Sequence, residues 1–194
     1  MKKLKSNFIN MLLSLTIISM IAGMSLSFMN TLTEGPISKS RIEKKVKAIQ
    51  YVLPEVTNNP YEEQMAESLA GLKDSFDIFP GKNDDKITGY AISTYSEKGY
   101  NGLVKLMVGF DKEGKIFKIA VLEQKETPGL GTKMTSEKFL SQYNGKNPET
   151  WKLKVKKDGG DTDAITGATI SSRAFDDAVQ NAYDIYLNKL KNQE

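Results

Sequence analysis

Between Ser6 and Thr33 the chain carries no charged residue, and Phe8 to Met29 is dominated by Leu, Ile, Met and Phe. A bilayer's hydrocarbon core takes about 20 such residues in a helix, whereas a cleaved signal has an apolar core of about 7 to 15. Ser25-Leu26-Ser27 is a small-x-small triplet of the kind that signals are cut at, but Phe28 and Met29 carry the apolar run beyond it. The segment therefore reads as a membrane anchor, and a lipid-modified anchor is excluded because the chain has no Cys. Lys2, Lys3 and Lys5 lie on one side of it, and Lys39, Arg41, Lys44, Lys45 and Lys47 follow on the other. The first group abuts the membrane and long domains translocate largely regardless of charge, which places the N-terminus in the cytoplasm.

The remainder has room for about one domain with a real core. The three N-terminal lysines account for the net charge of +3, so the rest is balanced and shows no nucleic-acid footprint. With neither Cys nor His in 194 residues, thiolate and haem ligation, iron–sulfur clusters and a His-based triad are all excluded. Any redox chemistry has to come from a bound cofactor. There is no Walker loop and no Gly-x-Gly-x-x-Gly. Asp158, Asp161 and Asp163 lack the Gly and terminal Glu of a calcium loop and read as a solvated turn, so no metal site is expected.

Local patterns predict helices over 37–53, ending at Pro54, and over 61–76, after Asn58-Asn59-Pro60. Strand-like runs cover 87–95, 102–110 and 116–122, the last two joined by Asp111-Lys112-Glu113-Gly114-Lys115 as a hairpin. A short helix over 136–143 is capped by Thr135 or Ser136. Trp151, Leu153 and Val155 alternate with lysines as in an edge strand, Trp151 turning to the core. Ile170, Ala174, Phe175, Ala178, Val179, Ala182, Tyr186 and Leu190 repeat as one face of a final helix. The fold class is α+β: a single N-terminal transmembrane helix, then one domain with a mainly antiparallel sheet and flanking helices. The expected division is 1–7 cytoplasmic, 8–29 transmembrane, 30–80 a helical supporting region and 81–194 the main domain.

Two motifs carry chemistry. Asp163-Ala164-Ile165-Thr166-Gly167-Ala168-Thr169-Ile170-Ser171 puts Thr169 at the start of the final helix, where unpaired backbone N–H groups and the helix dipole favour a phosphate. A plain N-cap at Thr169 or Ser171, with Asp163 also capping, needs no cofactor. Glu126-Thr127-Pro128-Gly129-Leu130-Gly131-Thr132-Lys133 follows a strand-like run, and Pro128-Gly129 suits a type II turn. Its glycines would also let backbone approach a planar ring.

The first stretch resembles the covalent FMN-attachment motif Asp-x-x-Ser/Thr-Gly-Ala-Thr-x-Ser of the FMN-binding domain family, and the second resembles the Glu-Thr-Pro-Gly-Leu-Gly stretch of the Rnf complex's G subunit. Gly89-Tyr90, Gly99-Tyr100, Gly102 and Asn30-Thr31-Leu32-Thr33 extend that likeness over nearly the whole chain. The resemblance implies FMN moved by a flavin transferase from FAD onto Thr169 as a phosphoester. It further implies Asp163, Thr166, Gly167, Ala168 and Ser171 in the recognised or flanking segment, and Glu126, Thr127, Gly129, Leu130 and Gly131 beside the flavin. Relatives often carry His two residues before this Glu, where Gln124 stands. The implied setting is an electron-relaying component in the bacterial cytoplasmic membrane, its domain on the outer side, within an ion-translocating ferredoxin:NAD oxidoreductase of several subunits. No turnover is expected of this component alone. The C subunit of the sodium-pumping NADH:quinone reductase, a free-standing extracytoplasmic flavin carrier, and a non-redox anchored binding module are the alternatives.

Overall fold

The computed structural model describes residues 7–68, 75–84 and 86–191. Residues 1–43 and 44–194 form two compact units. Helix α1 (Phe8–Val52) begins in the first and ends in the second, running through Pro36. Its apolar residues from Phe8 to Met29 are exposed, as a lipid-facing helix requires, while Ala48, Ile49 and Val52 are buried in the second unit. The two helical segments read separately from the sequence are thus one element, stopped just before Leu53-Pro54.

The second unit is built on a five-stranded antiparallel meander in the order β1 (Met65–Ser68), β2 (Ser75–Asn83), β3 (Lys86–Gly99), β4 (Gly102–Asp111) and β5 (Ile116–Gln124). In place of the helix expected over 61–76, the described residues carry β1 and the start of β2, and 69–74 lie outside the described residues. Glu62, Glu63, Gln64, Met65 and Ala66 favour helix by propensity, but β1 pairs Met65 with Ile78 and Glu67 with Phe76, and pairing overrides a weak local preference. The main sheet therefore starts before residue 81. Pro80 is tolerated in β2 because β1 reaches only as far as Ile78, leaving Pro80 on an open edge where no N–H is needed.

Helix α3 (Thr169–Lys191) covers one face of the sheet. Ala174, Phe175, Ala178, Val179, Ala182 and Tyr186 bury against Ile78, Ile92, Leu106, Val108 and Phe110. Polar contacts fix its position along the strands: Thr94 Oγ1 donates to Ala178 O at 2.8 Å, Ser96 Oγ to Asp177 Oδ2 at 2.7 Å, and Asn181 Nδ2 to Tyr95 O at 3.1 Å. The opposite face takes the end of α1, where Ile49, Val52 and Leu53 meet Phe79, Ala91 and Met107. Gly109 of β4 permits that approach, since a Cβ there would lie 1.7 Å from Val52 O.

The β4–β5 hairpin forms as expected, with Asp111 Oδ1 accepting from Glu113 N and Lys115 N, both at 2.9 Å, and Gly114 at φ +77°. The short helix is α2 (Glu137–Leu140) followed by a 3-10 turn at Ser141–Tyr143. Ser136 is its N-cap residue, but its hydroxyl turns back to Lys133 O. The strand expected at 151–155 finds no partner strand among the described residues: only Val155 bridges, to Thr162. Leu153 and Val155 are buried and the intervening lysines exposed, so the alternation reports burial alone. Trp151 packs edge-on against Tyr143 at 5.3 Å, the core role expected of it.

Candidate functional site

Two tight turns and the first turn of α3 meet at one place. Leu130 N donates to Thr127 O at 3.1 Å across Pro128-Gly129, and Ala168 N donates to Ile165 O at 2.9 Å across Thr166-Gly167. Gly129 and Gly167 both hold φ +77°, the value that the third residue of a type II turn requires. The turns touch: a Cβ on Gly167 would sit 3.4 Å from Leu130 Cδ2. Gly131 is packed harder still, as its Cβ would lie 2.6 Å from Ser171 Oγ and 2.7 Å from Glu126 Cβ.

Glu126 is the brace between them. It is buried, its Oε2 accepts from Ser171 Oγ at 2.7 Å, and its Oε1 accepts from Asn101 N at 3.3 Å. Gln124, at the position where the resemblance leads one to look for His, accepts from Glu126 N through Oε1 at 2.7 Å. A side-chain acceptor at 124 thus orders the Glu, and no imidazole is needed for that. Ser171 is consequently a strut for the Gly-rich turn and not an N-cap.

Ser172 does the local closing, accepting from Ile165 N at 2.9 Å and donating to Ala168 O at 3.0 Å. Ser171 and Ser172 are committed and buried, while the Thr169 hydroxyl has no hydrogen-bond partner among the described residues and is half-buried. Thr169 is the first residue of α3 in place of its cap, and the first turn holds no acidic side chain, so the positive end of the helix is not neutralised from within. Thr166, the other free hydroxyl, stands exposed in the turn. Asp163 does not cap either: its carboxylate is exposed and pairs with Lys156 Nζ at 2.8 Å. Its backbone is what is held, Gln142 Oε1 accepting from Asp163 N at 2.8 Å and Gln142 Nε2 donating to Asp163 O at 3.3 Å.

Beside the Thr166-Gly167 turn lies a groove of about 450 Å³, bordered by Lys133, Lys138, Phe139, Gln142, Ile165 and Thr166. Neither lysine is in an ion pair among the described residues. No cluster of acidic residues suited to a metal ion occurs among the described residues. Asp158 instead makes a two-pronged pair with Arg173, at 2.6 and 2.8 Å, which holds its carboxyl below the usual range.

The chain is 32% identical over 173 residues to the G subunit of the ion-translocating oxidoreductase complex of Erwinia tasmaniensis, covering 84% of this chain and 82% of that protein. It is 31% identical over 192 residues to the G subunit of the Na(+)-translocating ferredoxin:NAD(+) oxidoreductase complex of Acetobacterium woodii, covering 92% and 91%. The chain belongs to this G-subunit family. Within it, residues 99–184 match the FMN-binding domain model, a span that runs from the β3–β4 turn through Thr169 into α3. The α+β architecture is shared with the crystal structure of the C subunit of the Na(+)-translocating NADH-quinone reductase from Parabacteroides distasonis, at a TM-score of 0.53 and 19% identity, covering 77% of this chain and 93% of the other. At that identity the likeness is one of fold.

The two motifs singled out in the sequence are thus in contact: Leu130 meets Gly167, Gly131 packs against Ser171, and Glu126 bonds Ser171, while Gly129 shapes its turn without touching the other motif. Gln142, Asn101, Ser172 and Lys138 were not legible as part of the site. Isolated Gln, Asn or Lys residues carry no spacing signal, and they join it only through turns that tertiary packing sets.

Proposed function

We propose that this G-subunit family member is a membrane-anchored flavoprotein of an ion-translocating ferredoxin:NAD oxidoreductase (Rnf) complex, with FMN held as a phosphoester on Thr169. The observation that carries this reading is the free Thr169 hydroxyl, the only one of the three in Thr169-Ile170-Ser171-Ser172 that is unbonded among the described residues, set at the N-terminus of α3, whose own first turn holds no acidic side chain. The surroundings suit a phosphoester. Orphan N–H groups at the start of α3 favour an anion, Gly167 and Ala168 take up little room, and Lys133 lines the groove together with Thr166. Attachment is a phosphoryl transfer: Thr169 Oγ1 forms a bond to the FMN-side phosphorus of FAD, the pyrophosphate P–O bond breaks, AMP leaves with the electron pair, and a base of the flavin transferase takes the hydroxyl proton.

The bound FMN supplies one- and two-electron chemistry. The protein's part is to fix the attachment point and exclude motion around it. The Glu126–Ser171 bond holds the Gly-rich turn against α3, Ser172 closes the acceptor turn, and α3 is locked to β3 by Thr94, Ser96 and Asn181. Residues 1–7 lie in the cytoplasm, 8–29 cross the membrane, and the domain works on the outer face, its partners being the other subunits of the complex. A tether keeps the cofactor at high effective concentration where a dissociated one would be lost.

In-gel flavin fluorescence, after coexpression with a flavin transferase, tests this. The wild type and Thr166→Ala are expected to fluoresce and Thr169→Ala to be dark; a fluorescent Thr169→Ala band overturns the assignment. The proteins that copurify with this chain test the rest of the reading: other subunits of a ferredoxin:NAD oxidoreductase complex are expected, and a free-standing protein would contradict it.

A further inference from the structure

Asp176 is almost fully buried on α3, seven residues after Thr169, which is two helical turns further along nearly the same face. Its Oδ1 accepts from Thr162 Oγ1 at 3.0 Å and from Tyr143 OH at 2.8 Å, while Oδ2 is buried without a hydrogen-bond partner. Thr162 immediately precedes the attachment segment. The Thr162–Asp176 bond therefore closes the neck of the stretch that carries Thr166, Gly167 and Thr169, tying the chain where it enters to the helix where it leaves. Tyr143 braces the same oxygen from the 3-10 turn, and the adjacent Gln142 grips the backbone of Asp163. Thr162 is itself immobilised, its N donating to Lys154 O at 3.0 Å and its O accepting from Lys156 N at 2.8 Å.

Nothing in apolar packing calls for a carboxylate here. A Leu would fill the space but leave the buried Thr162 and Tyr143 hydroxyls without their acceptor, and a buried acid whose ionised form is disfavoured is a costly way to join two hydroxyls. What the carboxylate supplies and a Leu does not is a single acceptor point that fixes Thr162 and Tyr143 at once.

We propose that Asp176 is a positioning residue for attachment at Thr169: by gripping Thr162 and Tyr143 through one oxygen it holds the neck of the acceptor segment in the conformation that the flavin transferase acts on. This rests on the Thr169 reading. The residue touches neither donor nor acceptor, so its effect falls on the turnover of attachment and not on the transferase's affinity for FAD.

The test is the initial rate of FMN incorporation into the full-length protein in detergent, with purified flavin transferase and varied FAD, for wild type, Asp176→Asn, Asp176→Leu, Thr162→Val and Tyr143→Phe. Incorporation is followed by intact mass, and backbone hydrogen exchange is read over residues 163–168. Asp176→Leu and Thr162→Val are expected to lower kcat about tenfold or more with KM for FAD unchanged, and to speed exchange in the segment. Asp176→Asn keeps an oxygen in the accepting position and is expected to restore the wild-type kcat. Wild-type kcat and exchange in a folded Asp176→Leu or Thr162→Val overturns the proposal. Should Asp176→Leu not fold, Thr162→Val and Tyr143→Phe, each short of one hydroxyl, decide it by the same readouts. A wild-type chain that takes up no FMN, beside a control acceptor that does, overturns the Thr169 reading together with this one. Uniform rates across a labelled set overturn this one alone.

Discussion

Three hydroxyls crowd the start of α3, and the hydrogen bonds sort them. Ser171 is spent on Glu126 and Ser172 on the turn, which leaves Thr169 as the one of the three without a partner among the described residues, as the proposed attachment requires. Removing the Ser171 hydroxyl leaves a buried carboxylate oxygen without its donor, so Ser171→Ala is expected to cost about 1–3 kcal/mol in urea unfolding. Thr169→Ala, which breaks no bond in the structure, is expected to leave stability unchanged. Asp176 gives a pH signature. Burial pushes its carboxyl from an ordinary 3.8 up to about 6, against the opposing pull of its bonds from Tyr143 and Thr162. The native state then holds this proton more tightly than the unfolded chain, so the contribution of the ionisable group to stability falls as pH rises through 4 to 6 and is flat above. Relative to Asp176→Asn, wild-type stability is expected to drop by about 1 kcal/mol between pH 5 and pH 7. Asp158 and Tyr143, the titratable groups that act on it, do not change charge in that window, Asp158 being held low by Arg173 and Tyr143 pushed well up by burial. Pairs and glycine turns that lie close in sequence were readable: Pro128-Gly129 makes the expected turn because φ alone decides it. The Glu126–Ser171 and Thr162–Asp176 bonds were not, since they span 45 and 14 residues and only the packing of α3 brings them together.

Among the elements, the sheet is where sequence pattern was most and least informative. Strands β3, β4 and β5 announced themselves by apolar runs and by the Asp111–Lys115 hairpin. β1 and β2 did not, because Glu, Gln, Met and Ala in 61–66 favour a helix and only the pairing of β1 with β2, and of β2 with β3, selects the extended form. The alternation at 151–155 misled in the opposite way, as burial of every second residue does not supply a neighbouring strand. Close approach between elements gives a sharp prediction. A Cβ at Gly109 would meet the backbone of Val52, so Gly109→Ala is expected to push the end of α1 off the sheet and cost about 3 kcal/mol or more, seen as a lowered urea midpoint. Gly131→Ala is expected to act locally: it displaces Ser171 and Glu126, slowing FMN incorporation more than it lowers stability.

At the scale of the whole molecule, one helix long and apolar enough to cross a membrane and a domain of the G-subunit family suit the anchored carrier proposed above. The absence of Cys makes its orientation measurable, because any introduced thiol is unique. Tyr100, exposed in the β3–β4 turn, is a suitable site. Tyr100→Cys is expected to react with a membrane-impermeant maleimide in intact cells; labelling only after lysis would place the domain inside. The central claim concerns one oxygen atom, and peptide mapping by tandem mass spectrometry of the protein purified from cells with a flavin transferase tests it most directly. FMN phosphate localised to Thr169 is the result expected; an adduct on Thr166 or Ser171, or flavin released intact on denaturation, would contradict it.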